Sequence, residues 1–438
     1  MWFLPLFPRV AAFATRTFYR TTTAGGEIPL GGPLLLVGNH PNSLLDPLFL
    51  AAVARRPVRF LAKAPLFSNP WTSWAVEAVG AIPVYRPSDN PALVRQNASM
   101  FRAAHDALLA GAAIGIFPEG MSHDAPALAP LRTGAARIAL GARSQLGRAF
   151  PIIPIGLVFR NKEEFRSDAH VLIGEPVAWE GIDGAEENSA AVKELTARID
   201  RSLRGVTLNL EKWEDSSLIA TAEQIYVAEH GPGPEPGTQV DRWRGAVQIL
   251  SSARRAGDAD AIMLAREIRR HARSLDRFGL QPDDLHAKTN LETAAQWSAR
   301  KIALPLEFAI AWLGAALFWP PYRFTALIVG LSPADGSMRA TIKLVAGAAV
   351  FVLWIALLGA FAWILGGWEA GMAALVLLPS LALTTLVLLE KSSDAWGDAR
   401  RFFLLRARVK ALDALRSRQR DLAQRLRAMR DRATQTRA

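Results

Sequence analysis

Short apolar runs alternate with polar, helically spaced stretches between Pro33 and about residue 180 of this 438-residue chain. PLLLVGNH, VRFLAKAPLF, AIPVYRP, AAIGIFPEG, PIIPIGLVF and VLIGEPV each have strand length. That alternation predicts an α/β domain, a sheet flanked by helices. Several runs end in polar or Gly-containing segments, and open α/β sheets carry their sites at such strand ends.

The pattern divides the rest of the chain. Residues 1–30 mix Trp2, Phe3, Leu4, Leu6 and Phe7 with Arg9, Arg16 and Arg20, unlike a signal peptide. An interfacial N-terminal segment is expected, a first core helix being the competing reading. The α/β pattern fills 31–215. Residues 216–300 are polar, broken at GPGPEPG, and read as a helical linker with no assigned chemistry. Residues 301–331 are apolar but interrupted by PPYR, which leaves too few residues for a second crossing, so a broken or re-entrant hairpin is expected. Within 340–390, the runs 344–365 and 370–389 are each long enough to span, joined by GGWEAG, and predict a transmembrane helical hairpin. Arg339 and Lys343 precede it and Lys391, Arg400 and Arg401 follow, which puts the α/β domain and the tail of an integral membrane protein on the cytoplasmic face. Residues 395–438 form a basic helical tail. Its Leu412, Leu415, Leu422, Leu426 and Met429 approach a heptad seam interrupted by Gln419, which fits either a coiled coil, hence a homo-oligomer, or a helix lying on lipid.

Charge and composition narrow the partners. The formal net charge is +11, and thirteen basic residues from Arg400 onward face only Asp413, Asp421 and Asp431. Beside apolar helices such a tail favours the lipid bilayer over nucleic acid, since each basic residue near an anionic surface adds about 1 kcal/mol. The absence of cysteine removes disulfides, thiolate metal sites and catalytic thiols. The seven histidines form no HExxH, and neither a GxxxxGK[ST] loop nor a GxSxG elbow is present, so no cofactor or metal is called for.

Three segments carry candidate chemistry. In Asn39-His40-Pro41-Asn42-Ser43-Leu44-Leu45-Asp46, directly after LLLVG, Pro41 disfavours helix at His40 while Asn42 or Ser43 can cap a new one. The chain can then turn and bring Asp46 to the imidazole, a pair suited to general-base catalysis. A capped helix start with an incidental histidine is the plainer reading. In Phe117-Pro118-Glu119-Gly120-Met121-Ser122-His123, Pro and Gly bracket an acid in a tight loop, which alone reads equally as a turn with a solvated glutamate. In AIPVYRP, Arg86 leaves a strand-like run, where a guanidinium could fork onto phosphate or simply face solvent. Lys63 is a weaker second cation.

The order His-Asp, Arg, FPEG, then IIPIG with Pro154 resembles the phospholipid/glycerol acyltransferase superfamily over residues 30 to 180, with IGEP at 173–176 as its last element. AIPVYRPSD and FPEGMSHDAPALAPLRTGAA are most similar to the fungal-type glycerol-3-phosphate and dihydroxyacetone-phosphate acyltransferases. The resemblance implies an acyltransferase-type sheet, His40 as base, Asp46 as its orienting partner, Arg86 with Glu119 and Gly120 at the phosphoglycerol, and Pro154 in the acyl-binding region. Two departures matter. Five residues separate His40 from Asp46 where the broader superfamily has four, a spacing the fungal-type subgroup shares. Its usual Thr-Arg after FPEG is Met121-Ser122 here, which shifts phosphate binding to Arg86 or Arg132, with Ser122 beside them.

The resemblance implies direct attack of an acceptor hydroxyl on an acyl-CoA or acyl-carrier-protein thioester, the acceptor being glycerol-3-phosphate or dihydroxyacetone phosphate. Lysophosphatidate or another lysolipid is the alternative acceptor. A non-catalytic membrane tether is the reading from a different class.

Overall fold

The computed structural model describes residues 2–86, 91–231, 237–286, 304–333, 336–407 and 409–435. The chain forms two compact units: Met1–Trp213 with the short pieces 235–244 and 334–341, and the remaining residues from Glu214 onward.

The first unit is built on seven strands: β1 (Arg20–Gly25), β2 (Leu34–Gly38), β3 (Val58–Lys63), β4 (Ile82–Val84), β5 (Ala113–Ile116), β6 (Ile152–Phe159) and β7 (Asp168–Ile173). Their order is β1-β7-β6-β2-β5-β3-β4. Strands β6, β2, β5, β3 and β4 are mutually parallel, β7 runs antiparallel to β6, and β1 lies parallel to β7. β2 and β5 are buried at every residue, which is why they read as unbroken apolar runs in place of alternating ones. β1 escapes such a reading because RTTTAG is a largely exposed edge. Cross-strand pairs hold it: Arg20 with Asp168 at 2.9 Å and Thr22 with His170 at 2.6 Å, both register partners.

Helices cover both faces. α1 (Phe7–Phe18) packs on α2 (Leu45–Ala54). The two short helices α3 (Pro65–Ser68) and α4 (Ser73–Ala78) follow β3. α5 (Asn97–Leu109), α6 (Gly134–Leu146) and α7 (Ser189–Val206) bury Leu108, Ile138, Leu195 and Leu203 against Leu35, Val37 and Ile152 of the sheet. The N-terminal segment contributes to the core: Phe7, Ala11, Phe18 and Tyr19 are buried, while Trp2, Leu6, Val10 and Phe13 are exposed.

The second unit holds α8 (Glu214–His230), α10 (Ala259–Asp276), α11 (Leu304–Leu331), most of α12 (Gly336–Ala407) and α13 (Val409–Gln435); α9 (Gly237–Ala256) contributes to both units. Two expectations change here. The break at Pro320-Pro321 does not occur: α11 is one helix of 28 residues with both prolines inside. The Leu317 carbonyl, which Pro321 cannot serve, accepts instead from the Trp354 indole N–H at 3.1 Å. The contacts of α11 fall on the open half of the hairpin: Glu307 with Lys391, Gly314 against Thr385, and Gly347 against Thr325. The tail seam is also spoken for. Leu412 and Leu415 pack with Leu275, Leu280 and Leu285, while Leu422, Leu426 and Met429 pack with α8 and α10. The described parts of the linker and the tail pack into one helical bundle.

α12 changes direction at Gly367, whose φ of 77° and ψ of −179° lie outside helical space. Gly359 lies against Leu375 and Gly371 against Trp363, so its two arms run antiparallel as a hairpin turning at GGWEAG. Met338–Ser392 is the one stretch among the described residues long and apolar enough to cross a membrane, and few of its side chains are buried.

Candidate active site

The C-terminal ends of β2, β5, β3 and β4 share one sheet edge, and the candidate residues leave from there. Beyond β2, the Asn39 amide locks the departing chain to β6: its Nδ2 donates to the Leu157 carbonyl at 3.0 Å and its Oδ1 accepts from the Leu157 N–H at 2.7 Å. The chain then turns through Ser43 in a left-handed conformation (φ 44°) and enters α2, with Asp46 in its first turn. A carboxylate is favoured at that helix end.

His40 Nδ1 lies 2.8 Å from Asp46 Oδ2, which also accepts the Asn42 N–H at 2.7 Å. Burial pushes the fully enclosed Asp46 carboxyl up, while His40 and the Asn42 N–H pull it back toward the charged form. The carboxylate therefore fixes the proton on Nδ1 and leaves Nε2 as the basic nitrogen. The imidazole stacks on Phe117 at 4.2 Å between centroids and 13° between planes. With His40 18% exposed, the ring can meet substrate.

A second layer supports this turn. The Tyr19 hydroxyl donates to the Lys162 carbonyl and accepts from Asn42 Nδ2 at 2.7 Å. Burial raises the Tyr19 hydroxyl, which stays protonated and keeps donating. Lys162 Nζ donates to the Pro41 carbonyl at 3.0 Å and pairs with Asp124. Sequence reasoning missed Tyr19 and Lys162, and gave Phe117 a place in the FPEG segment but no role. Of these only Phe117 carried a signal, its place at a strand end beside Pro118.

The loop after β5 faces the same edge. Gly120 has φ 79°, and a Cβ there would lie 2.6 Å from Arg132 Cδ. Arg86 Nη1 donates to the Gly120 carbonyl at 3.3 Å, the Arg132 N–H donates to the Pro118 carbonyl at 2.7 Å, and Ser122 Oγ meets Ser43 Oγ at 2.9 Å. Arg86, Arg132, Gly120 and Ser122 are thus gathered around one loop. Lys63 ends β3, exposed, opposite Val84 of β4 and only two residues from Arg86 in that strand's continuation. Glu119 holds the loop from within. Its carboxylate is enclosed and accepts from the His40 N–H at 2.7 Å, the Ala129 N–H at 2.8 Å and the His123 ring, which puts it behind the site.

Comparison with known proteins decides what this edge belongs to. Residues 20–158 match the family model described as Acyltransferase. They are an acyltransferase-family domain. The chain is similar to glycerol-3-phosphate O-acyltransferase 2 of Saccharomyces cerevisiae, 26% identical over 57% of this chain and 34% of the yeast protein. It is also similar to the chloroplastic 1-acyl-sn-glycerol-3-phosphate acyltransferase BAT2 of Brassica napus, 28% identical over 35% of this chain and 41% of that one. Among solved structures, the Thermotoga maritima 1-acyl-sn-glycerophosphate acyltransferase aligns over 46% of this chain and 78% of its own, with 19% identity and a TM-score of 0.35. The chain spans about a third of the yeast relative's length.

Between His40 and Asp46 the chain turns through the left-handed Ser43, the Leu45 and Asp46 N–H groups donate to the Asn42 and Ser43 carbonyls, and Asp46 reaches the imidazole.

Proposed function

We propose that this protein transfers an acyl group from an acyl-CoA or acyl-carrier-protein thioester to a hydroxyl of glycerol-3-phosphate or dihydroxyacetone phosphate. The observation that carries the reading is the His40–Asp46 pair, with Nδ1 held by a buried carboxylate and Nε2 left to the open sheet edge. His40 Nε2 takes the proton of the acceptor hydroxyl as its oxygen attacks the thioester carbonyl. The Asp46 carboxylate stabilises the imidazolium. Collapse of the tetrahedral intermediate breaks the C–S bond, and the imidazolium returns its proton to the departing thiolate. Acyl ester and free thiol result, without an acyl-enzyme.

Arg86 and Arg132, with the Gly120 and Ser122 loop between them and Lys63 nearby, are the groups we assign to the acceptor phosphate. The apolar hairpin at 340–390 would hold the enzyme in the bilayer that receives its lipid product. The basic residues flanking the hairpin support a reading in which both its ends, and with them this domain, face the cytoplasm. Similarity to the Brassica enzyme favours a second reading, in which the acceptor is lysophosphatidate. Purified protein offered labelled acyl-CoA or acyl-carrier protein with each acceptor in turn separates the two. Lysophosphatidate formed from glycerol-3-phosphate supports the first reading, phosphatidate formed from lysophosphatidate the second, and no product with any acceptor removes both.

A further inference from the structure

The His123 ring and backbone both bear on the peptide groups that hold the base. The Ala125 N–H donates to His123 Nδ1 at 3.1 Å, so that nitrogen is an acceptor and the ring proton of the neutral imidazole sits on Nε2. Nε2–H then donates to Glu119 Oε2. The other Glu119 oxygen accepts from the His40 N–H at 2.7 Å, and the His123 N–H donates to the His40 carbonyl at 3.2 Å. Both peptide groups of His40 are therefore fastened to one five-residue stretch of the neighbouring loop. Glu119 is enclosed, so three donors must satisfy its charge; without the His123 ring a buried oxygen keeps only the Ala129 N–H.

We propose that His123 is a positioning residue: with Glu119 it forms a clamp between the β5 loop and the β2 loop that sets where the His40 ring stands over Phe117. The proposal rests on His40 acting as the base. Both His123 ring nitrogens are already bonded within the loop, which leaves neither for the acceptor phosphate. Releasing the clamp lets the His40 peptide shift, and a displacement of about 1 Å at a reacting group costs on the order of a hundredfold in rate.

The test compares His123→Ala and His123→Gln in the full-length protein, Gln carrying an amide donor that can reach Glu119. His123→Ala is expected to lower kcat between about tenfold and a hundredfold with acceptor and donor KM within about threefold of wild type, and His123→Gln to regain most of the loss. Hydrogen–deuterium exchange, read on the peptide covering residues 39–46, needs no turnover. It is expected to quicken in His123→Ala and return toward wild type in His123→Gln. A raised acceptor KM with kcat intact, or unchanged exchange in His123→Ala, overturns the clamp. Wild-type protein without turnover would sink the acyltransfer reading instead, and the exchange result alone would then decide the clamp.

Discussion

Two buried polar clusters in this chain each contain a histidine, and their surroundings differ in the one respect that chemistry requires. His40 stands at a sheet edge, bonded to a buried carboxylate through one nitrogen and partly exposed at the ring. His271 lies in the helical bundle, fully enclosed, with Nε2 3.4 Å from Gln419 Oε1, and burial pulls its pKa down. Gln419 in turn donates to Glu229 at 2.9 Å and to the Pro282 carbonyl at 3.1 Å. The first cluster keeps its histidine ring partly open to solvent. In the second, Gln419 ties His271, Glu229 and Pro282 together across the helices. Burial therefore separates these two histidines only together with their partners: His40 has a buried carboxylate on one nitrogen and a partly exposed ring, and His271 has neither.

Substitutions should separate the clusters sharply. His40→Ala is expected to lower kcat by about 10²- to 10⁴-fold in an acyl-transfer assay, the range that general-base catalysis supplies. Asp46→Asn should cost on the order of a hundredfold, because the tautomer and the imidazolium lose their partner. Its stability should move the other way. A carboxyl whose folded pKa is raised favours folding most at low pH and least once ionised, so the Asn variant should melt no lower than wild type near pH 7. That margin should shrink toward pH 4. Melting curves at several pH values check the sign.

Arg86→Ala is expected to raise KM for the phosphorylated acceptor about tenfold while leaving donor KM alone, read from initial rates with each substrate varied. The smallest effect on activity belongs to the bundle: His271→Leu should leave turnover within about twofold of wild type. A histidine with a lowered folded pKa contributes stability above its unfolded value of 6.5 and loses it as pH falls from there. Replacing it should therefore flatten the acid side of the melting profile. If His271→Leu abolished activity and His40→Ala did not, the comparison would be inverted.

How much of this was legible in the chain follows the same physics. Fully buried parallel strands are apolar throughout, so β2, β5 and β6 were readable, and so were the His40 and FPEG loops at their ends. β1 was not, because an edge strand of threonines shows neither an apolar run nor a clean alternation. The tail seam was visible, but sequence does not say whether Leu422 and Leu426 meet a second chain or α8 and α10. Pro320-Pro321 promised a break that the Trp354 indole offsets from 34 residues away in the chain, counted from Pro320. Glu119 was singled out by its loop, yet only the fold shows its oxygens turned toward His40, Ala129 and His123.

The most direct test of the central claim is the initial rate of labelled acyl transfer to glycerol-3-phosphate by purified wild-type protein and by His40→Ala, both shown to be folded. Transfer by the wild type that falls at least about a hundredfold in the variant is the predicted result. Equal rates in the two proteins would contradict it, and would remove His40 as the base.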